Sequence, residues 1–382
     1  MIKITGGRSL NIQIYDNSLR DGEQSVSVAY TTEEKKQIAK KLCEVGIKKF
    51  EAGFIAVSEY ERKTIEEILT LNLPAQVFCL ARLTKKDVDL AIEIGVRNIT
   101  LFTCSSDALI KYKIKKEIDE IKSDIYNVVT YAKQKGMYVR FSCEGATETP
   151  IERLIEFYNI ACECGADYIS VPDTSGVALP SVFKKTIYTL KENIPIPMSV
   201  HCHNDLGLAT ANSLAAIDAG ADEIQTTVNG MGERAGNASL EEILAILYIY
   251  YDVKNFNLKE MCKLSELVEK MSGVGIPDHK PIVGKNAFCH ESGLHVNALL
   301  AAKTGVYEPF PPEILGKTHS VAFGKHSGKG NIEYLANKMN ISLCQEAVSE
   351  ILSEVKKLSN KKVKVTSENV EELIKSKFFT LL

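Results

Sequence analysis

The sequence predicts an α/β chain: a (β/α)8 TIM barrel, followed by a lid and linker segment and a small helical C-terminal domain. Three observations carry that expectation. Short β-branched or aromatic runs alternate with amphipathic stretches up to about residue 250. Several of those stretches close on a glycine just before the next strand-like run. Beyond residue 252 the rhythm stops. Strands separated by helices must pair in parallel, and eight such units are what a closed barrel needs. An open doubly wound sheet is the alternative, and the lack of a GxGxxG turn after the first strand counts against it.

The first strand is read in NIQIYDNS at 11 to 18, and the helical pattern TTEEKKQIAKKLCEVG follows it, ending at Gly46. Further strands are read in KKFEAGF from Lys48, QVFCLA from Gln76, RNITLFT from Arg97 and YVRFSCE from Tyr138. DYISVPD from Asp167, IPMSVHCH from Ile196 and EIQTTVN from Glu223 complete the eight. Gly46, Gly95, Gly136, Gly165 and Gly220 stand where helices should stop. The barrel is therefore expected over 1–252. A helical stretch, NLKEMCKLSELVEKMSG, and a Gly-, Pro- and His-rich segment make a linker and lid over 253–330. The amphipathic patterns in NIEYLANKMN, CQEAVSEILSEVKKLSN and SENVEELIKSKF make a small helical domain over 331–382.

Hydrophobic residues make up 45% of the 382, enough for a large core. The formal net charge of -3, with no long Lys or Arg block, lacks the footprint of a nucleic-acid or membrane-surface binder and favours small-molecule partners. Ten cysteines at irregular intervals, without a CxxC pair, are read as reduced thiols. The N-terminal stretch has no leader pattern and no run of 18 apolar residues occurs, so a cytoplasmic protein is expected.

Barrel active sites lie at the C-terminal ends of the strands, where this chain places many polar residues. His201 and His203 are the sharpest signal, because residues i and i+2 of a strand share a face and can grip one metal ion. The alternative is a pair of imidazoles that only satisfy hydrogen bonds at a strand end. A carboxylate at Asp21 and an amide oxygen at Asn237 would complete a nitrogen and oxygen set suited to Mn²⁺, Mg²⁺ or Zn²⁺.

YDNSLRDGEQ, HCHNDLG at 201 to 207 and NGMGERAGNASLEE from Asn229 resemble the homocitrate and 2-isopropylmalate synthases, and the likeness continues through FCHESGLHVNALL, YEPFPPEILG and FGKHSG. The resemblance covers roughly Asn11 to Gly328. It implies a TIM barrel with a bound divalent metal, acetyl-CoA as cosubstrate, and a Claisen-type condensation with a 2-oxo acid. It places Asp21, His201, His203 and Asn237 around the metal, with Arg20 stabilising the keto oxygen. Glu144 and His295 are the candidates for proton removal from the acetyl methyl group, and Tyr307 resembles the catalytic lid tyrosine. A lid that reaches a neighbouring subunit implies a homodimer. Thr174, in PDTSG, is expected to bind the carboxylate next to the keto group, although a helix cap would also use it.

Arg140 and Ser142 share one face of strand five, and a guanidinium matches a carboxylate in a bidentate fork. This makes 2-oxoglutarate the expected substrate and homocitrate the expected product, with 2-oxoisovalerate, pyruvate or oxaloacetate on the same machinery as alternatives. RFS followed by Glu144 resembles lysine-pathway homocitrate synthases, whereas HES in the lid resembles nitrogen-fixation homocitrate synthases and isopropylmalate synthases. The chain departs from the common pattern at Asn17 and Ser18, where a Thr-containing DTTLRDG turn is usual, and at SVSVAY, Gly145 and Asn297. A lyase like 3-hydroxy-3-methylglutaryl-CoA lyase is a rival reading, disfavoured because MGERAGN lacks the lyase cysteine. A non-catalytic barrel is disfavoured by the retained Arg20, Glu144, His295 and Tyr307.

Overall fold

The computed structural model describes residues 12–302 and 305–380. Eight parallel strands close into a barrel in chain order, and the last pairs with the first. They are β1 (Gln13–Asp16), β2 (Lys49–Phe54), β3 (Gln76–Arg82), β4 (Asn98–Cys104), β5 (Tyr138–Glu144), β6 (Tyr168–Asp173), β7 (Met198–Cys202) and β8 (Glu223–Thr226). Six of the eight lie within predicted runs, and β3 and β4 each extend one residue past theirs, to Arg82 and Cys104. Asn11, where the first run was expected to begin, is outside the described residues. β1 ends before Asn17 because the chain turns there, Ser18 N–H donating to Asp16 Oδ1 at 2.9 Å.

Around the barrel run α1 (Thr32–Val45), α2 (Glu59–Thr70), α3 (Lys85–Glu93), the single turn α4 (Asp107–Leu109), α5 (Ile118–Gln134), α6 (Ile151–Glu163), α7 (Pro180–Asn193), α8 (Ala209–Asp218) and α9 (Leu240–Tyr250). The first shows how the sequence sets these elements. Thr31 and Glu34 form a reciprocal capping box at its start. Ile38, Ala39, Leu42 and Val45 recur at helical spacing and are buried. Gly46, at φ 104°, ends the helix in a left-handed conformation that a side chain would disfavour. With a helix on the outer side and other strands across the interior, β6 and β7 are buried at every residue.

The expectation that Arg140 faces the substrate pocket is corrected here. Its guanidinium is fully buried in the barrel interior, 2.5 Å from Glu223 at the start of β8 and 3.9 Å over the ring of Tyr15 of β1. Glu223 also holds Lys49, at the start of β2, at 3.0 Å. Arg140 thus belongs to the N-terminal end of the barrel, opposite the catalytic face.

Asp16 is fully buried, and its Oδ2 lacks a hydrogen-bond partner. Burial, reinforced by Glu241, pushes its carboxyl up to about 7. A carboxyl raised in the folded state binds protons that the unfolded chain has lost, so its contribution to stability is lost as pH rises from about 4 to 7. His203 works in the opposite sense over much of that window, since burial lowers it to about 3. The informative quantity is therefore a difference. Asp16→Asn should gain stability relative to the parent between pH 5 and 8, by on the order of a few kcal/mol, as read by urea unfolding at each pH.

α10 (Leu258–Ser272) follows the barrel and corrects the domain expectation. Leu258, Met261, Cys262 and Leu264 are buried, the helix packs on α1, and Asn257 N–H donates to Val45 O at 2.8 Å. The first compact unit accordingly extends to Gly275 rather than 252, and the second runs from Ile276.

The second unit contains α11 (Gly293–Ala302), α12 (Lys329–Lys338), α13 (Gln345–Asn360) and α14 (Ser367–Thr380), with a short parallel pair, β9 (Cys289–His290) and β10 (Ser320–Val321). Val296 of α11 shares one apolar core with Ile332, Val348, Ile351, Val355 and Ile374. The segment read as a lid is therefore packed into the same body as the tail helices, and no boundary falls at 330. The HES and HSG motifs meet at their glycines: a Cβ on Gly293 would lie 2.5 Å from Gly328 Cα, so only glycine permits the approach. Among the described residues, no helix is long and apolar enough to cross a membrane.

Candidate metal centre and substrate pocket

Asp21, His201 and His203 converge at the catalytic end of the barrel. Asp21 Oδ2 is 3.0 Å from His201 Nε2 and 4.0 Å from His203 Nε2, and the two imidazole nitrogens are 3.2 Å apart. All three residues are buried, and among the described residues this is the one such His, Cys, Asp and Glu cluster able to hold an ion. His203 lies just past β7, where it forms an antiparallel bridge with Asn237. That bridge brings the fourth expected ligand beside the third. Asn237 Nδ2 donates to Met231 O at 3.0 Å, which leaves Oδ1 buried without a hydrogen bond.

The electrostatics suit a cation. Burial alone would raise the Asp21 carboxyl, but the Arg20 guanidinium, with His201 and His203, holds it well below the usual carboxylate range. His203 is kept neutral chiefly by burial, with the nearby Arg234 and Arg20 charges acting in the same direction, so its ring nitrogen offers a lone pair at neutral pH. Two imidazoles, a carboxylate and an amide oxygen fit a divalent ion with positions left open.

Arg20, Asp21, Ser142, Glu144, Thr174, His201 and His203 all line one pocket at this end. Arg20 Nε donates to Glu51 Oε2 at 2.6 Å, and Nη1 lies 3.3 Å from Asp21 Oδ2. Glu51, fully buried on β2, also accepts from Tyr15 Oη at 3.1 Å, so the guanidinium is clamped at the pocket edge. Thr174 Oγ1 accepts the N–H of Gly145 at 2.8 Å, which leaves its hydroxyl proton available to a ligand. Arg234 grips both carboxylate oxygens of Asp205, at 2.8 and 2.9 Å, and donates to Thr174 O at 2.6 Å, tying three loops together.

Several contributors escaped the sequence reading. Glu51 and Lys113 are single charged residues outside any motif. Lys113, on a one-turn π-helix (Ile110–Ile114), binds both oxygens of Glu144 at 2.7 Å. Phe54, Leu80 and Phe102 give the pocket an apolar wall. His295 and Tyr307 belong to the second unit, where their rings stack at 4.1 Å.

Comparison with known proteins follows the same division of the chain. Residues 11–268 match the HMGL-like family, and residues 282–363 match the homocitrate synthase post-HMGL domain-like family. A 2-isopropylmalate synthase of Methanocaldococcus jannaschii is 44% identical, aligned over 95% of this chain and 71% of its own length. A homocitrate synthase AksA of the same organism is 43% identical over 95% and 90%. A putative (R)-citramalate synthase of Methanopyrus kandleri is 39% identical over 95% and 72%. Among solved structures, the HMG-CoA lyase of Bacillus subtilis superposes with a TM-score of 0.64 at 21% identity, covering 71% of this chain and 96% of the lyase. At that identity the likeness bears on the fold.

Proposed function

We propose, from the premise that the chain belongs to the HMGL-like family and is an acyltransferase of the homocitrate and isopropylmalate synthase type, that it condenses acetyl-CoA with a 2-oxo acid carrying a compact apolar side chain. The observation that carries the reading is the buried Asp21, His201 and His203 cluster opening into a pocket whose wall is Phe54, Leu80 and Phe102. A divalent cation held there, with Asn237 beside it, would polarise the keto group of the oxo acid.

The chain's own residues supply the rest. Arg20, held by Glu51, places positive charge where the alkoxide develops. The Thr174 hydroxyl donates to the carboxylate next to the keto group. Glu144, His295 and Tyr307 are the proposed proton-handling groups for the acetyl methyl. Both Glu144 oxygens bind the Lys113 ammonium, a contact that competes with proton removal by Glu144. The proposed assembly is a homodimer.

Burial of Arg140 removes the reason for choosing 2-oxoglutarate, and the apolar wall favours 2-oxoisovalerate. A second reading keeps the dicarboxylic acid, because the half-exposed Lys113 ammonium on the pocket wall could take a distal carboxylate after leaving Glu144. CoA thiol release from acetyl-CoA with 2-oxoisovalerate, pyruvate, 2-oxoglutarate and oxaloacetate in parallel decides between them. The expected order places 2-oxoisovalerate at least about tenfold ahead of 2-oxoglutarate in kcat/KM, because a distal carboxylate against the apolar wall would lose its water without gaining a partner. A preference for 2-oxoglutarate that disappears in Lys113→Met would establish the second reading instead.

A further inference from the structure

We infer that Asn17, acting with Gln225, positions His201 for metal binding by accepting a hydrogen bond from its Nδ1–H, so that Nε2 faces the cation as a bare lone pair. The inference rests on the metal-site reading above. Asn17 belongs to the turn after β1, where this chain departs from the threonine of the common motif. Its amide Nδ2 position lies 3.2 Å from His201 Nδ1 and 2.8 Å from Gln225 Oε1. The other end of the Gln225 amide lies 2.7 Å from Ser170 Oγ and 3.1 Å from Ser199 Oγ. All five residues are buried, so this is a closed chain of polar groups running across the barrel from β6 and β7 through β8 to a metal ligand.

The two ends of an amide have nearly the same shape, so each distance is compatible with two senses of hydrogen bonding. In one sense Asn17 donates to both Gln225 and His201. Nδ1 of His201 is then an acceptor, its proton sits on Nε2, and Nε2–H donates to Asp21 Oδ2 at 3.0 Å. A nitrogen carrying that proton cannot ligate a cation. In the other sense both amides are turned. The Ser170 and Ser199 hydroxyls donate to Gln225 Oε1, Gln225 Nε2 donates to Asn17 Oδ1, and His201 Nδ1–H donates to the same oxygen.

Only hydroxyls at the far end allow this reversal, since each can be donor or acceptor. An N–H or a carbonyl in their place would fix the sense. With Asn17 Nδ2 toward His201, the Asn17 Oδ1 is buried without a hydrogen-bond partner, so that end of the amide does not fix the sense. Binding of the cation does, because it requires Nε2 bare and therefore Nδ1 protonated. Asn17 is thus a positioning residue, acting through His201 and not on substrate.

Two nearly isosteric substitutions separate this from a charge effect. Asn17→Asp keeps an acceptor facing both His201 Nδ1–H and Gln225 Nε2. Gln225→Glu adds the same charge but removes the donor toward Asn17, which drives the Asn17 amide back to the sense that protonates Nε2. The measurement is Zn²⁺ affinity of the full chain by competition with a chromophoric chelator. Asn17→Asp is expected to bind as tightly as the parent or more so, and Gln225→Glu to bind about 10–100-fold more weakly. Equal affinities in the two variants, or the reverse order, overturn the inference. Where either variant fails to fold by circular dichroism, the ¹⁵N-histidine spectrum of the zinc-loaded parent decides: a protonated His201 Nδ1 supports it and a bare one overturns it. A parent chain that binds no zinc overturns the metal reading itself, and this inference with it.

Discussion

Replacing His203 with alanine is expected to lower CoA release by about 10³-fold or more while leaving the barrel folded. The imidazole sits at the rim beyond the end of β7, and its backbone, not its ring, makes the bridge to Asn237. Its loss removes one of three converging ligand atoms and leaves His201, at 3.0 Å, as the one imidazole beside Asp21. A cation that polarises a carbonyl supplies several kcal/mol of transition-state stabilisation, and each 1.36 kcal/mol is worth about tenfold in rate. The variant should also retain less metal after dialysis, by elemental analysis. A folded variant with parental metal content and turnover would remove His203 from the centre.

The second large effect is on stability. Arg140→Leu strands Glu223, fully buried, with Lys49 as its remaining cationic partner. Breaking a buried ion pair from one side costs about 3–5 kcal/mol, since the surviving charge cannot reach water. For a unit of this size that corresponds to a fall in Tm on the order of 10 °C. Where the variant still folds at low temperature, its KM for any 2-oxo acid should stay close to that of the parent, because the side chain lies at the far end of the barrel from the pocket. An unchanged Tm with a tenfold rise in KM for 2-oxoglutarate would return Arg140 to the substrate.

That residue also shows where sequence reasoning stops. Alternation places Arg140 and Ser142 on one face of β5, and both do point inward. Two residues on one face are nonetheless separated by roughly 6–7 Å along a strand. In a barrel that is the difference between the catalytic rim, where Ser142 lies, and the buried end, where Arg140 meets Glu223. Periodicity reports the side and not the height.

The strands themselves were legible because each is a short β-branched run closed off by turn or helix signals, and five glycines marked the helix ends. The candidate metal centre was legible for a similar reason. His201 and His203 are two residues apart, and Arg20 and Asp21 are adjacent, so the geometry is local. Glu51 and Lys113 were not, because each meets its partner 31 residues away and nothing in its own neighbourhood sets it apart from a surface charge. The amphipathic pattern of α10 announced a buried stripe without naming what it packs on. Its placement against α1 moved the boundary from 252 to 275.

The most direct test of the account is CoA thiol release by the full chain from acetyl-CoA, measured with and without a 2-oxo acid, before and after removal of divalent metal by a chelator, and again after metal is restored. Release that requires the oxo acid, disappears on chelation and returns with added Mn²⁺, Mg²⁺ or Zn²⁺ is the predicted result. Release that proceeds without the oxo acid, or that survives complete metal removal, would contradict condensation at the Asp21, His201 and His203 centre.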